Sequence, residues 1–123
     1  MKYMLLVHHD EEAFGKFSET RQQQMLDESI QLTHQLHADG KYFGASPLHP
    51  AATAAIVRVR DGKSFVTDGP FIETHEQIAG YFLIDAKDLD EAIGIAARIP
   101  GARMRIGTVE VRPVKEIAGL PAN

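Results

Sequence analysis

Residues 53–85 read "TAAIVRVRDGKSFVTDGPFIETHEQIAGYFLID", and the centre of this stretch demands a hairpin. Asp61-Gly62 is the dipeptide that a type I′ turn prefers, because both central residues of that turn need positive φ. A two-residue loop at this point pairs Arg60 with Lys63, Val59 with Ser64, Arg58 with Phe65 and Val57 with Val66. Side chains alternate along a strand, so Val57, Val59 and Val66 share one face. Ile56, Arg58, Phe65 and Thr67 share the other, an apolar floor with one fixed charge. The hairpin then runs into Asp68-Gly69-Pro70-Phe71, a turn signal, and "AGYFLIDA" resumes as a strand.

Working outward, "KYMLLVHH" is apolar on both sides and reads as a central strand, and residues 10–17 read as a polar loop. Ser18 is an N-cap for a helix from about Glu19 to Asp39, stopped by Gly40. Its stripe is Met25, Ser29, Leu32, Thr33 and Leu36, flanked by Leu26 and Ile30. "KYFGASPLHP" gives a short strand. A second helix starts at the cap Asp88, buries Leu89, Ile93 and Ala96, and ends at Pro100-Gly101. "GTVEVRPV" is the last strand, and the tail from about residue 115 is expected to be loosely held.

This order of elements predicts one α+β domain over residues 1–123, a ferredoxin-like sandwich with an antiparallel sheet and both helices on one face. The other face, where Arg58 and Phe65 are expected, has nothing left in the chain to cover it. A second copy, sheet facing sheet, supplies the cover and leaves a cleft between the two.

Bulk composition narrows the classes. With 44% hydrophobic and 24% charged residues in a chain of 123, a single real core is expected and wholesale disorder is not. A net charge of -4 with scattered Lys and Arg argues against a nucleic-acid binder. No cysteine is present, so disulfides and thiolate chemistry are excluded. No apolar run approaches the roughly 20 residues of a membrane span, and the N-terminal run lacks a cleavage-site pattern, so the expected location is cytoplasmic. No P-loop, Rossmann or nucleophile-elbow fingerprint occurs.

The run from Asp68-Gly69-Pro70-Phe71 through Glu73 to Gly80-Tyr81, followed by "DLDEA" and "VEVRP", resembles the DGPF proteins of the YCII-related family. The resemblance covers nearly the whole chain and implies a dimeric α/β barrel built from ferredoxin-like halves. Related families on that scaffold include cofactor-free monooxygenases, isomerases and dehalogenases. Many DGPF proteins are encoded beside extracytoplasmic-function sigma factors, which implies an alternative role as a non-catalytic accessory or regulatory protein. The chain departs from the family pattern at His8-His9 and at His75, where Lys is usual. The helix histidine of YCII proteins aligns near Ser29.

The candidate site follows from residue chemistry. Asp68 and Phe71 either make a purely structural corner or shape the mouth of a cleft and offer a carboxylate to a ligand. His8 and His9 point to opposite strand faces, so one of them looks into the cleft and suits proton transfer near neutral pH. Glu73, His75 and Glu76 crowd one short connection. They lack any fixed metal-ligand spacing, and neither a metal nor a cofactor is assigned. Arg58 and Tyr81 are set to orient a small anionic or aromatic ligand, or to meet the second subunit. The catalytic candidates are therefore Asp68, His75, His9 and His8, and the ligand-binding candidates are Arg58, Phe71, Glu73 and Tyr81.

Overall fold

The computed structural model describes residues 1–121. Strand β1 (Lys2–His9) lies inside a four-stranded sheet of order β2-β5-β1-β6, formed with β2 (Tyr42–Pro47), β5 (Gln77–Asp85) and β6 (Gly107–Pro113). Every pairing in it is antiparallel. With helix α2 (Glu19–Ala38) after β1 and helix α3 (Leu89–Ala96) after β5, the order is compatible with a ferredoxin-like βαββαβ plan. Strands β3 (Ala55–Arg60) and β4 (Lys63–Asp68) are inserted between β2 and β5 and form a separate two-stranded sheet. Neither sheet closes into a barrel within the chain.

Local chemistry sets most of the boundaries. Ser18 accepts a hydrogen bond from the Arg21 amide at 3.1 Å and caps α2, and Gly40 takes φ 71 just past its end. Asp88 caps α3 by accepting from the Glu91 amide at 2.9 Å. The hairpin turn has φ 52 at Asp61 and φ 76 at Gly62, and the register is the one that dipeptide requires, Arg60 with Lys63 through Val57 with Val66.

Three local readings differ from the structure. Residues 11–15 are not loop but a short helix, α1 (Glu11–Gly15), whose cap Asp10 accepts from the Ala13 amide at 3.1 Å. Five residues are too few to show a helical period, so only the cap could have betrayed it. On α3 the buried residues are Ala92, Ile95 and Ala96, while Leu89 and Ile93 are half-exposed. The small alanine faces are the ones that lie close against the sheet. Pro100-Gly101 does not stop that helix but opens a further turn, α4 (Pro100–Arg103), with proline at the first position where its missing N–H costs nothing.

The core lies between the sheet and α2 and α3. Tyr3, Leu5 and Val7 of β1, Phe82 and Ile84 of β5, and Leu32 and Leu36 of α2 form it with Ala92, Ile95 and Ile99. Odd-numbered β1 residues thus face the helices, and Met4, Leu6 and His8 face the other side, each half-buried. No helix among the described residues is long and apolar enough to cross a membrane. After the last strand contact, from the Val114 amide to the Lys2 carbonyl at 2.9 Å, residues 115–121 are exposed and carry neither helix nor strand. The last two residues of the expected loose tail lie outside the described part.

Candidate functional site: a pocket beside His9

His9 continues the parity of Leu5 and Val7, so its ring enters the helix side of the sheet. There it stacks on Phe14 of α1, with ring centroids 5.4 Å apart and an interplanar angle of 27°. Close to the Nε2 and Cδ2 atoms of the ring sits Gly101 of α4. A Cβ at that position would stand 2.5 Å from His9 Nε2, so only glycine lets the ring lie where it does. Gly107 is equally constrained, because a Cβ there would run into the His8 carbonyl oxygen. Burial lowers the His9 pKa below its ordinary value, while the carboxylates of Glu76 and Glu11 pull it upward. Desolvation is the larger effect, so the imidazole is held towards its neutral form.

His9 lines a pocket of about 280 Å³ between α2 and the helix face of β1, β2 and β5. Met25, Leu26, Ser29, Ile30 and Thr33 of α2 form the roof, Tyr42 and Ala45 of β2 one wall, and Gly80 and Phe82 of β5 the floor. Leu26 and Ile30 are 40% and 45% exposed, which places the mouth at the α2–β2 edge. Gly80 brings the strands close: a Cβ there would approach the Ser46 carbonyl oxygen to 2.8 Å. Ser29 shares this pocket with His9.

The remaining candidates fall into three groups. His75 joins His9 at the end of β1: its Nε2 lies 3.0 Å from Asp10 Oδ2, although the ring itself is exposed. Asp10 is fixed by its own role, since Oδ1 caps α1 and its amide donates to the Ile106 carbonyl at 2.7 Å. Glu76 acts on His9 from the same connection. The connection is bonded to itself, with the Thr74 hydroxyl donating to the Glu76 carbonyl and the Gln77 side-chain Nε2 to the Thr74 carbonyl.

His8 and Tyr81 form the second group, on the opposite face of the sheet. His8 Nε2 is 3.5 Å from Glu110 Oε1 across the β1–β6 pair. Tyr81 alternates with Gly80 and Phe82 and pairs with Leu6, so its ring leaves on this face while its strand segment borders the pocket. The third group stays with the hairpin. Asp68 ends β4, exposed, and Gly69 extends the ladder by donating to the Ala54 carbonyl at 2.8 Å with φ 93. The Arg58 guanidinium lies 5.6 Å from the centroid of the Phe71 ring, and Glu73 is exposed. Asp68, Arg58, Phe71 and Glu73 are not brought to His9. Among the described residues no three His, Asp or Glu side chains converge as a metal-holding group.

Sequence reasoning missed Phe14, Gly101 and the pocket itself. The parity of His9 with Leu5 and Val7 was a usable signal for its direction. The glycine packed on its ring had none, because a close approach between distant segments leaves no local mark.

The geometry can be set beside known proteins. An uncharacterised protein of Rhizobium meliloti (strain 1021) is 33% identical over 114 residues, which cover 93% of this chain and 92% of that one. The model of the YCII-related domain matches residues 1–118, so nearly every element described above falls within it, and the chain belongs to the YCII-related family.

Proposed function

We propose that this protein is a homodimeric small-molecule binder that takes a compact ligand into the pocket beside His9, with His9 exchanging a proton with it and no cofactor taking part. The observation that carries the reading is the placing of His9. Among the described residues it is the one His, Asp, Glu, Lys or Arg in the wall of a mostly apolar pocket, and burial holds it towards the neutral base. A neutral imidazole near physiological pH is the form that accepts a proton, and apolar pockets with a few convergent polar groups are where such chemistry is housed. The aromatic neighbours Phe14, Tyr42 and Phe82 suit a flat ligand.

The dimer rests on a separate feature. A lone two-stranded hairpin is marginal in water, and this one exposes Val57, Val59 and Val66 on one face and Phe65 on the other. A second copy covers that surface, with Arg58, Phe71 and the Asp68–Glu73 corner at the seam and His8 and Tyr81 on the sheet face turned towards it. His75, held to Asp10, sits beside the His9 end of the pocket.

Titration of ¹⁵N-labelled protein with p-cresol tests the ligand site. Shifts at the amides of Ser29, Gly80 and Gly101, with a displaced titration midpoint for the His9 ring, are expected. Shifts confined to residues 55–72 would move the ligand to the hairpin and overturn the reading.

A further inference from the structure

Several polar groups around the pocket are not free to act in either direction, and their engagement defines what the pocket accepts. The Ser29 hydroxyl donates to the Met25 carbonyl at 3.0 Å and the Thr33 hydroxyl to the Ile30 carbonyl at 2.6 Å. Such back-bonding spends the single hydroxyl hydrogen and leaves an oxygen that accepts. Gln22 spends both amide hydrogens, one towards the Phe14 carbonyl at 3.2 Å and one towards the Phe17 carbonyl at 3.1 Å, and keeps its own carbonyl oxygen. His9 as a neutral ring offers one unprotonated nitrogen that accepts beside one N–H that donates, so Ser29, Thr33 and Gln22 are the groups restricted to accepting. The Tyr42 hydroxyl makes no hydrogen bond among the described residues, whereas Ser46 and Tyr81, which also border the pocket, pair with each other on the opposite face of the sheet.

Charge points the same way. Among the described residues no lysine or arginine lines the pocket, so an entering carboxylate or phosphate would lose its water with no fixed cation to meet it. The acids that act on His9 from outside the wall, Glu11 and Glu76, add negative potential at that end. Size sets the last limit. An apolar cavity of about 150 Å³ accommodates benzene, and this pocket, at about 280 Å³, has room for one or two rings.

Resting on the reading of the pocket as the ligand site, we infer that it selects a neutral one- or two-ring aromatic bearing an O–H or N–H donor, and rejects aromatic acids of the same size. A phenol, an indole or an aromatic amine has the required chemistry. The donor meets the acceptor set of Ser29, Thr33, Gln22 and His9, and the ring lies among Phe14, Tyr42 and Phe82. The committed polarity of the wall, not its shape, makes the choice. An isosteric ligand without the donor leaves those acceptors unpaired, and the anion pays full desolvation.

Three matched probes test this at pH 7.5 on the intact ¹⁵N-labelled protein: p-cresol, its methyl ether 4-methylanisole, and the carboxylate p-toluate. The expected result is pocket-amide shifts with p-cresol, at least roughly fivefold weaker binding of the ether, the loss of about one neutral hydrogen bond, and no shift with p-toluate. Equal affinity for p-cresol and p-toluate would overturn the charge selection while leaving the pocket as a ligand site. Equal affinity for p-cresol and its ether would overturn the donor requirement. If none of the three moves the amides of Ser29, Gly80 or Gly101, the selection and the site fall together. The variant Thr33→Val, on a half-exposed position of α2, separates selection from folding: it is expected to narrow the gap between p-cresol and the ether while its circular dichroism spectrum stays unchanged.

Discussion

The body of the molecule and its hairpin are written in the same local code and meet opposite fates. In the body, alternation along β1 buries Tyr3, Leu5 and Val7 against α2 and α3, with Leu5, Leu36 and Ile84 wholly enclosed. In the hairpin, alternation is just as regular and the turn is the one its dipeptide asks for. Yet every residue of β4 is exposed, and Val57 and Val66 stand at 62% and 63%. The difference is what lies opposite. Two helices cover one face of the four-stranded sheet, whereas nothing among the described residues covers the hairpin. Among the described residues, the apolar pattern of the body is covered and that of the hairpin is not.

Mutations should separate the two regions most sharply through packing. Truncating Leu36 or Ile84 to alanine is expected to cost about 2–5 kcal/mol in urea unfolding, since each leaves a hole in a core that cannot collapse around it. Val66→Ala is expected to change the stability of dilute protein by less than about 0.5 kcal/mol. A cost for Val66→Ala comparable with that for Leu36→Ala would break the distinction.

Next in size is Gly101→Ala. The added methyl stands 2.5 Å from His9 Nε2, so either the ring leaves the pocket wall or α4 shifts. Overpacking of this kind costs about 1–3 kcal/mol, and p-cresol shifts at Ser29 and Gly80 should disappear with it. A smaller effect, about 1 kcal/mol, is expected for Gly62→Ala in the hairpin turn, where φ is 76 and a Cβ is strained whatever space surrounds it. Hydrogen exchange should show that loss in the β3–β4 amides and leave the β1–β5 amides unaffected.

The smallest effect is one of pH. Because the folded pKa of His9 lies below its unfolded value near 6.5, the unfolded chain binds the proton more readily. The stability that neutral His9 contributes is complete above the unfolded value and falls away as pH drops towards the folded one. Urea midpoints measured between pH 7.5 and 5 should decline, and His9→Gln should flatten part of that decline.

How legible all this was depends on the distance over which each feature is specified. The hairpin register, the caps Ser18 and Asp88 and the stop at Gly40 are set within four residues, and their chemistry stands in the sequence. The α2 stripe of Met25, Leu32 and Leu36 was legible because one helix face packs along its length. The α3 face was read rightly at Ala96 and wrongly at Leu89 and Ile93, because size favours those two while close approach to the sheet favours Ala92. Helix α1 was too short for its period to appear. The candidate site was the least legible part. The parity of His9 was readable, but which face of β1 carries the helices, and that Gly101 arrives beside the ring, are decided by segments some ninety residues apart in the chain. The acids and the histidine of residues 68–76 drew attention as a cluster, and the fold sends His75 and Glu76 towards the end of β1 while Asp68 and Phe71 stay with the hairpin.

In the proposed dimer the hairpin is half of an interface whose other half is a second copy. Sedimentation velocity on the wild-type protein and on Val66→Glu tests it most directly. The account predicts a wild-type species of twice the chain mass at micromolar concentration, reduced to a single-chain species by Val66→Glu with its circular dichroism spectrum retained. A wild-type protein that sediments as one chain up to hundreds of micromolar would contradict it.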